Sequence, residues 1–315
     1  MAEQADLDSG IRTQVPPLSP CAKSGISPPS LAQTGSGKNS TARHKPSLGL
    51  SFWLPLGWIL LVCAGALSAP WWPLPGFDAI DWNHPSARPG TIHLLGTDGM
   101  GRDILARLLF GARVSLMVGL LAPLIGLFLG GGSGLLAGYY RGRVAALLGG
   151  VMDAILAFPA LVLLLTIVYL CGASLLTITL SLGCLSVPAF FRVARANTLK
   201  YVDLEFVLAA RASGQTDLDI ILREILPNTL FPLSIYALLV VGYMIIIEGG
   251  LGFLGLSVPT PTPSWGGMVA DGQGVLRAAP HVCLIPMTAM FLTILAFNLL
   301  GDRLRRLADR RESHL

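Results

Sequence analysis

Six long apolar stretches dominate the pattern of hydrophobic and polar positions, near 52–69, 114–138, 144–170, 173–191, 229–252 and 281–301. A helix needs about 20 such residues to cross a hydrocarbon core about 30 Å thick, so the pattern predicts six transmembrane helices. Two polar regions break it. The first 48 residues are rich in Ser, Pro, Gly, Thr and Ala, lack hydrophobic periodicity, and bury too little apolar surface to offset chain entropy. They are expected to form a disordered cytoplasmic tail ahead of a membrane domain at 49–315. The second region, EFVLAARASGQTDLDIILREILPN at 205–228, is a charge-balanced helical hairpin between stretches too apolar for anything but a membrane.

Composition fixes the class. Hydrophobic residues make up 53% of the 315 and charged residues only 13%, against about 25% charged in soluble domains; mean hydropathy is +0.65. The chain reads as an all-α, multi-pass membrane protein. Lysine and arginine concentrate on cytoplasmic flanks. With the N-terminus inside, segments 1–50, 139–143, 192–228 and 302–315 are cytoplasmic and hold 17 of the 22 basic residues, which predicts N-in/C-in. Arg88, Arg102, Arg107, Arg113 and Arg277 are the exceptions. Three of them fall in GRDILARLLFGAR, where Ile104, Leu105, Leu108 and Leu109 recur at helical spacing, so a short helix lying on the outer membrane surface is expected, its arginines among headgroups.

Candidate chemistry is sparse. Cys63, Cys171, Cys184 and Cys283 fall in or beside the predicted spans and Cys21 in the tail; without a CxxC they suggest neither disulfides nor a metal site. Ionisable groups inside the bilayer are costly and mark packing, gating or transport sites; Asp153 and Glu248 alone qualify, as pathway or gate candidates. Gly131, Gly132, Ser133 and Gly134 fit the GxSG pattern of rhomboid-type intramembrane serine proteases, and His281 opens a later span. Yet Gly126, Gly130, Gly134 and Gly138 recur every four residues, the small-residue face that lets membrane helices approach closely. That packing reading accounts for more of the glycines. HExxH and GxxxxGK[ST] patterns are absent, so no catalytic or nucleotide-binding set is assigned and any energy for transport comes from an ion gradient or a separate ATPase. An ion-coupled secondary transporter would carry more intramembrane charges, broken helices and an internal repeat, none of them evident.

The hairpin decides between these sources. Leu204 to Ser213 form good helix, with Ala209 and Ala210 leaving a low-relief surface for another protein. Gly214 suits a left-handed stop; Thr216 and Asp219 offer a capping box for a second helix, expected to run to Leu226 before Pro227 opens the fifth span. At 257–279, Pro259, Pro261 and Pro263 preclude regular helix, and Trp265 is expected to be exposed in a loop at the outer mouth.

Ala209, Ala210 and Arg211, then Gly214, then ILPN at 225–228 resemble the EAA loop of ABC importer permeases. GTDGMGRD (96–103), FLGLSVPTPTPSWGGM (253–268) and AFNLLGDRLR (296–305) agree in order and content. The chain is similar to the C-type permease of dipeptide, oligopeptide and nickel importers. The resemblance implies a type I ABC importer permease of the bacterial inner membrane, with no catalytic role and no nucleic acid. It implies a B-type permease partner, two ATPases that carry ATP and Mg, an extracytoplasmic solute-binding protein and surrounding lipid. Glu205, Ala209, Ala210, Arg211, Gly214, Leu226 and Pro227 would couple the chain to an ATPase. Peptides are the expected cargo, with nickel, a metal chelate or another small solute as the alternative. The chain departs from the family pattern at Leu208, in place of a polar residue, and at Glu224, in place of histidine. Around Glu248 it reads EGGLGFLG, and Gly249, Gly250 and Gly252 are expected to loosen the end of the fifth span.

Overall fold

The computed structural model describes residues 50–312, with side chains at 52–307; the tail at 1–48, with Cys21, lies outside them. The described residues are almost wholly helical, with two isolated β-bridges and no strand. Helix α1 (Leu50–Ser68) is apolar on every face and ends in a 3-10 turn at Ala69–Trp71. Helix α2 (Ile104–Tyr140) starts at Asp103, whose side chain accepts from Ala106 N–H, and contains a wide π turn at Gly126–Gly131. Helices α3 (Gly142–Leu156) and α4 (Ala160–Cys171) follow, then α5 (Leu175–Tyr201) behind an N-cap at Ser174. A short α6 (Glu205–Ala212) leads into α7 (Asp217–Phe253), α8 (Trp265–Gln273) and α9 (His281–Glu312).

Among the described residues five helices are long and apolar enough to cross a membrane, and the α3–α4 pair makes a sixth span if it is counted as one. That pair corrects the expected straight span at 144–170. It bends by 79°, because Pro159 biases Phe158 away from the helical region and cannot donate within a continuing helix; Pro159 instead caps α4, its carbonyl accepting from Leu163 N–H at 3.0 Å. The fourth span also outruns its hydropathy. Arg192, Arg195 and Lys200 end the apolar stretch, but the helix runs on to Tyr201.

The main core lies where α2, α4, α5 and α7 meet, around Val118, Leu164, Ile178, Phe190, Leu233 and Leu251. Gly126, Gly130, Gly134 and Gly138 line the α2 face against α5. A methyl group at these positions would collide with Ser186 Oγ, the Val187 carbonyl, the Phe191 carbonyl and the Thr198 side chain, respectively. Outward faces of α1, α2, α4 and α7 keep large apolar side chains exposed, including Leu61, Phe128, Tyr169 and Tyr243.

Candidate functional site

The hairpin is a small unit with its own core. Val207 and Ala210 of α6 pack with Ile220, Ile221 and Ile225 of α7 and with Leu135, Tyr139 and Val202. Its turn is a Schellman motif: Gln215 N–H donates to the Ala210 carbonyl and Gly214 N–H to the Arg211 carbonyl, at 3.2 and 3.1 Å. Gly214 takes φ +80° with open space around it, the left-handed geometry that glycine adopts at least cost. Thr216 Oγ1 then accepts from Asp219 N–H at 3.3 Å and starts α7.

Polar ties hold the unit to the end of α2. Tyr139 donates its hydroxyl to Asp217 at 2.6 Å, Arg211 donates to that hydroxyl at 3.4 Å, and its guanidinium lies 5.7 Å from the Tyr139 ring centre. Arg141 pairs with Asp203 at 2.6 Å across an exposed surface.

Two expectations change here. Ala210 is buried, so the outer face of α6 is made by Glu205, Phe206, Leu208, Ala209 and Ala212. The second hairpin helix does not stop before Pro227: α7 is continuous through it, and a π turn at Ile220–Ile225 precedes the proline. A proline inside a regular helix clashes with the carbonyl four residues back, and widening the preceding turn relieves that clash. Leu226 is half-buried against the hairpin core, and Pro227 is exposed.

At the opposite end, a denser polar arrangement surrounds Glu248, which is fully buried. Ser115 of α2 and Ser257 each donate a hydroxyl to its carboxylate at 3.0 Å; Ser115 also accepts from Trp265 N–H at 3.2 Å. Ser264 hydrogen-bonds Ser257 and caps α8 through Gly267 N–H. Trp265 is buried, contrary to expectation, because its indole N–H reaches the Leu108 carbonyl at 3.0 Å and its ring fills a site lined by α1, α2 and α9.

Glycines bring these elements together. A methyl at Gly252 would strike the Gly266 and Gly267 backbone, and one at Gly266 would strike Gly249. Gly249 and Gly252 therefore seat α8 on α7 rather than loosening the helix end. Gly250 alone faces open space.

GRDILAR is not a surface helix either. It opens α2, and Arg107 and Arg102 are buried in a network with Asp98 and Asp271. Arg102 Nε lies 2.7 Å from Asp98, and both arginines reach one Asp271 oxygen at 3.2 and 3.1 Å. Arg113 caps α1 through the Ala66 and Leu67 carbonyls and lies 5.1 Å from the Phe110 ring centre. The buried Arg102 and Arg107 have acids as partners and the half-buried Arg113 has carbonyls, in place of the expected headgroups.

The two intramembrane acids are unlike each other. Asp153 has a side chain 75% exposed and a loose 3.5 Å contact to Arg192; Glu248 is enclosed, with the hydroxyls of Ser115 and Ser257 as its donors. Ser133 donates to the Leu129 carbonyl of its own helix at 2.6 Å, and His281 donates to the Ala87 carbonyl at 2.9 Å. No serine–histidine pair is formed between them. The partners of Glu248 escaped sequence reading; the signal was the acid itself, since a buried carboxylate requires donors and serine is a polar residue common in membrane helices.

A model of the family described as binding-protein-dependent transport system inner membrane component matches residues 104–314. The glutathione transport system permease protein GsiD of Pectobacterium atrosepticum is 37% identical over 252 residues, covering 80% of this chain and 84% of that protein. Its counterpart in Shigella dysenteriae serotype 1 is 38% identical over 254 residues, 80% of this chain and 83% of the relative. Among solved structures, an inward-facing MetNI methionine ABC transporter matches with a TM-score of 0.53 at 17% identity, over 64% of this chain and 95% of that one. This last likeness concerns the fold alone.

Proposed function

The chain belongs to the inner-membrane component family of binding-protein-dependent transport systems, and we propose that it forms one half of the membrane path of a small-peptide importer, coupled to its ATPase through the hairpin. As a permease of an ABC importer it is a multi-pass inner-membrane transport subunit and not an enzyme, working with an ATPase and a solute-binding protein. The finer reading pairs it with a homologous B-type permease and two ATPase subunits that hold ATP and Mg, while this chain binds neither.

The observation that carries the coupling role is the hairpin's construction: an exposed α6 face with its own apolar core, fixed by a glycine turn to the start of a 37-residue helix. In this reading the hairpin is cytoplasmic, as the lysine and arginine distribution suggests, and Glu205, Ala209, Arg211 and Gly214 meet an ATPase groove. Ala210, Leu226 and Pro227 support that surface from behind and beside it. Peptide as cargo is supported by the relatives named for glutathione, itself a tripeptide.

The test is reconstitution of the complete importer in lipid, with its binding protein, and measurement of ATP hydrolysis against glutathione, dipeptides, longer peptides and nickel. Stimulation by peptides is expected. Stimulation by nickel alone would overturn the peptide assignment, and Ala209→Glu transporting at wild-type rate would overturn the coupling assignment.

A further inference from the structure

We propose that Asp81, His84 and His93, on the segment joining α1 to α2, form a binding site for one first-row divalent transition cation, with Zn²⁺ the best fit. The site lies outside the coupling hairpin and does not rest on the identity of the transported solute.

The segment folds back on itself. Isolated bridges join Ile80 to Arg102 and Thr97 to Asp103, and Asp81 N–H donates to the Gly101 carbonyl at 3.1 Å. This brings Asp81 beside residues that follow it by more than a full turn of chain. Asp81 Oδ1 accepts from Asn83 N–H at 2.9 Å, which turns Oδ2 toward two imidazoles: His84 Nδ1 at 2.8 Å and His93 Nε2 at 3.5 Å. The three ligand atoms all lie within 4.8 Å of one another.

His93 is held from behind. Its Nδ1 donates to Asp103 Oδ2 at 2.8 Å, and Asp103 Oδ1 accepts from Ala106 N–H at 2.8 Å at the start of α2. Both side chains are buried. A carboxylate on the far nitrogen is how metal-ligating histidines are commonly oriented. It leaves Nε2 facing Asp81 Oδ2, an imidazole–carboxylate pair that a proton bridges in the metal-free protein and that a divalent cation can bridge in its place.

The donor set chooses the ion. Two imidazole nitrogens and one carboxylate suit zinc and its neighbours, whereas calcium and magnesium prefer oxygen cages. Three protein ligands leave a fourth position for water, and the half-exposed side of Asp81 and His84 gives access. Tetrahedral zinc with bonds of about 2.0–2.1 Å sets its ligand atoms about 3.3 Å apart. The Asp81 contacts, at 2.8 and 3.5 Å, differ from this by about 0.5 and 0.2 Å, and exposed His84 has the freedom to close the rest. The Asp81, His84, His93 spacing fits no short metal signature, because the fold-back rather than the sequence interval makes the cluster.

Calorimetric Zn²⁺ titration of the whole importer tests this, purified through a non-histidine tag, stripped with chelator and placed in lipid nanodiscs. Wild type is expected to bind one more equivalent than His84→Gln, with Mg²⁺ giving no such difference, and the two proteins are expected to melt at the same temperature because His84 is exposed. Co²⁺ substitution should give a visible ligand-field band in wild type that His84→Gln lacks. Equal Zn²⁺ equivalents in the two proteins, or no cobalt band assigned to this site, would overturn the proposal.

Discussion

The hairpin and the opposite cap are built on different terms. The hairpin buries small and branched aliphatic residues and keeps most of its charges at the surface, as in the Arg141–Asp203 and Arg223–Asp219 contacts. The cap buries its charges: Arg102, Arg107, Asp98 and Glu248 are all enclosed, and their bonds join α2, α7, α8 and the intervening loops. Under the proposed coupling role, a surface that meets another protein gains from a rigid, dry underside and a plain outer face. Loops with little regular structure are held in one arrangement by buried polar partners, each of which costs dearly if left alone.

Breaking that contrast should show first in the cap. Arg107→Ala leaves Asp98 and Asp271 without one of their cations and is expected to destabilise the protein by about 3–5 kcal/mol, read as a fall in melting temperature of the purified assembly. The hairpin comes next. Ala210→Glu forces a carboxylate into the Val207–Ile220–Ile225 core and should cost about 2 kcal/mol, with local protease sensitivity at 205–228. The neighbouring Ala209→Glu should leave melting unchanged and lower only coupled uptake, so the pair separates the hairpin's core from its face. Ser264→Ala removes both the α8 cap and a link to Ser257, for about 1–2 kcal/mol. Smallest of all, Arg141→Ala should change stability by less than about 1 kcal/mol, since exposed ion pairs contribute little; a large loss would show that hairpin charges matter as cap charges do.

Features set by local backbone chemistry were legible in the sequence. Gly214 as a left-handed stop and Thr216 as a cap depend on residues a few positions away, and both appear where the pattern places them. The bend at Pro159 was also written locally, but hydropathy averaged over 144–170 concealed it. Contacts across long intervals were not legible. Arg107 meets Asp271, 164 positions on, and Ser115 meets Glu248, 133 positions on. With its acids out of view, an arginine at helical spacing looked like the polar side of a surface helix. Trp265 looked exposed for the same reason, since the Leu108 carbonyl that takes its N–H lies 157 positions away.

The uninterrupted helix from Asp217 to Phe253 has a further consequence. At about 1.5 Å per residue it is a rod on the order of 55 Å long, with the hairpin turn at one tip and Glu248 near the other. A push or twist applied at Thr216 has no flexible linker in which to dissipate before it reaches the serine cluster. The wide turn at Ile220–Ile225 lies between Thr216 and the serine cluster, so under the proposed coupling role any displacement of the hairpin passes through it.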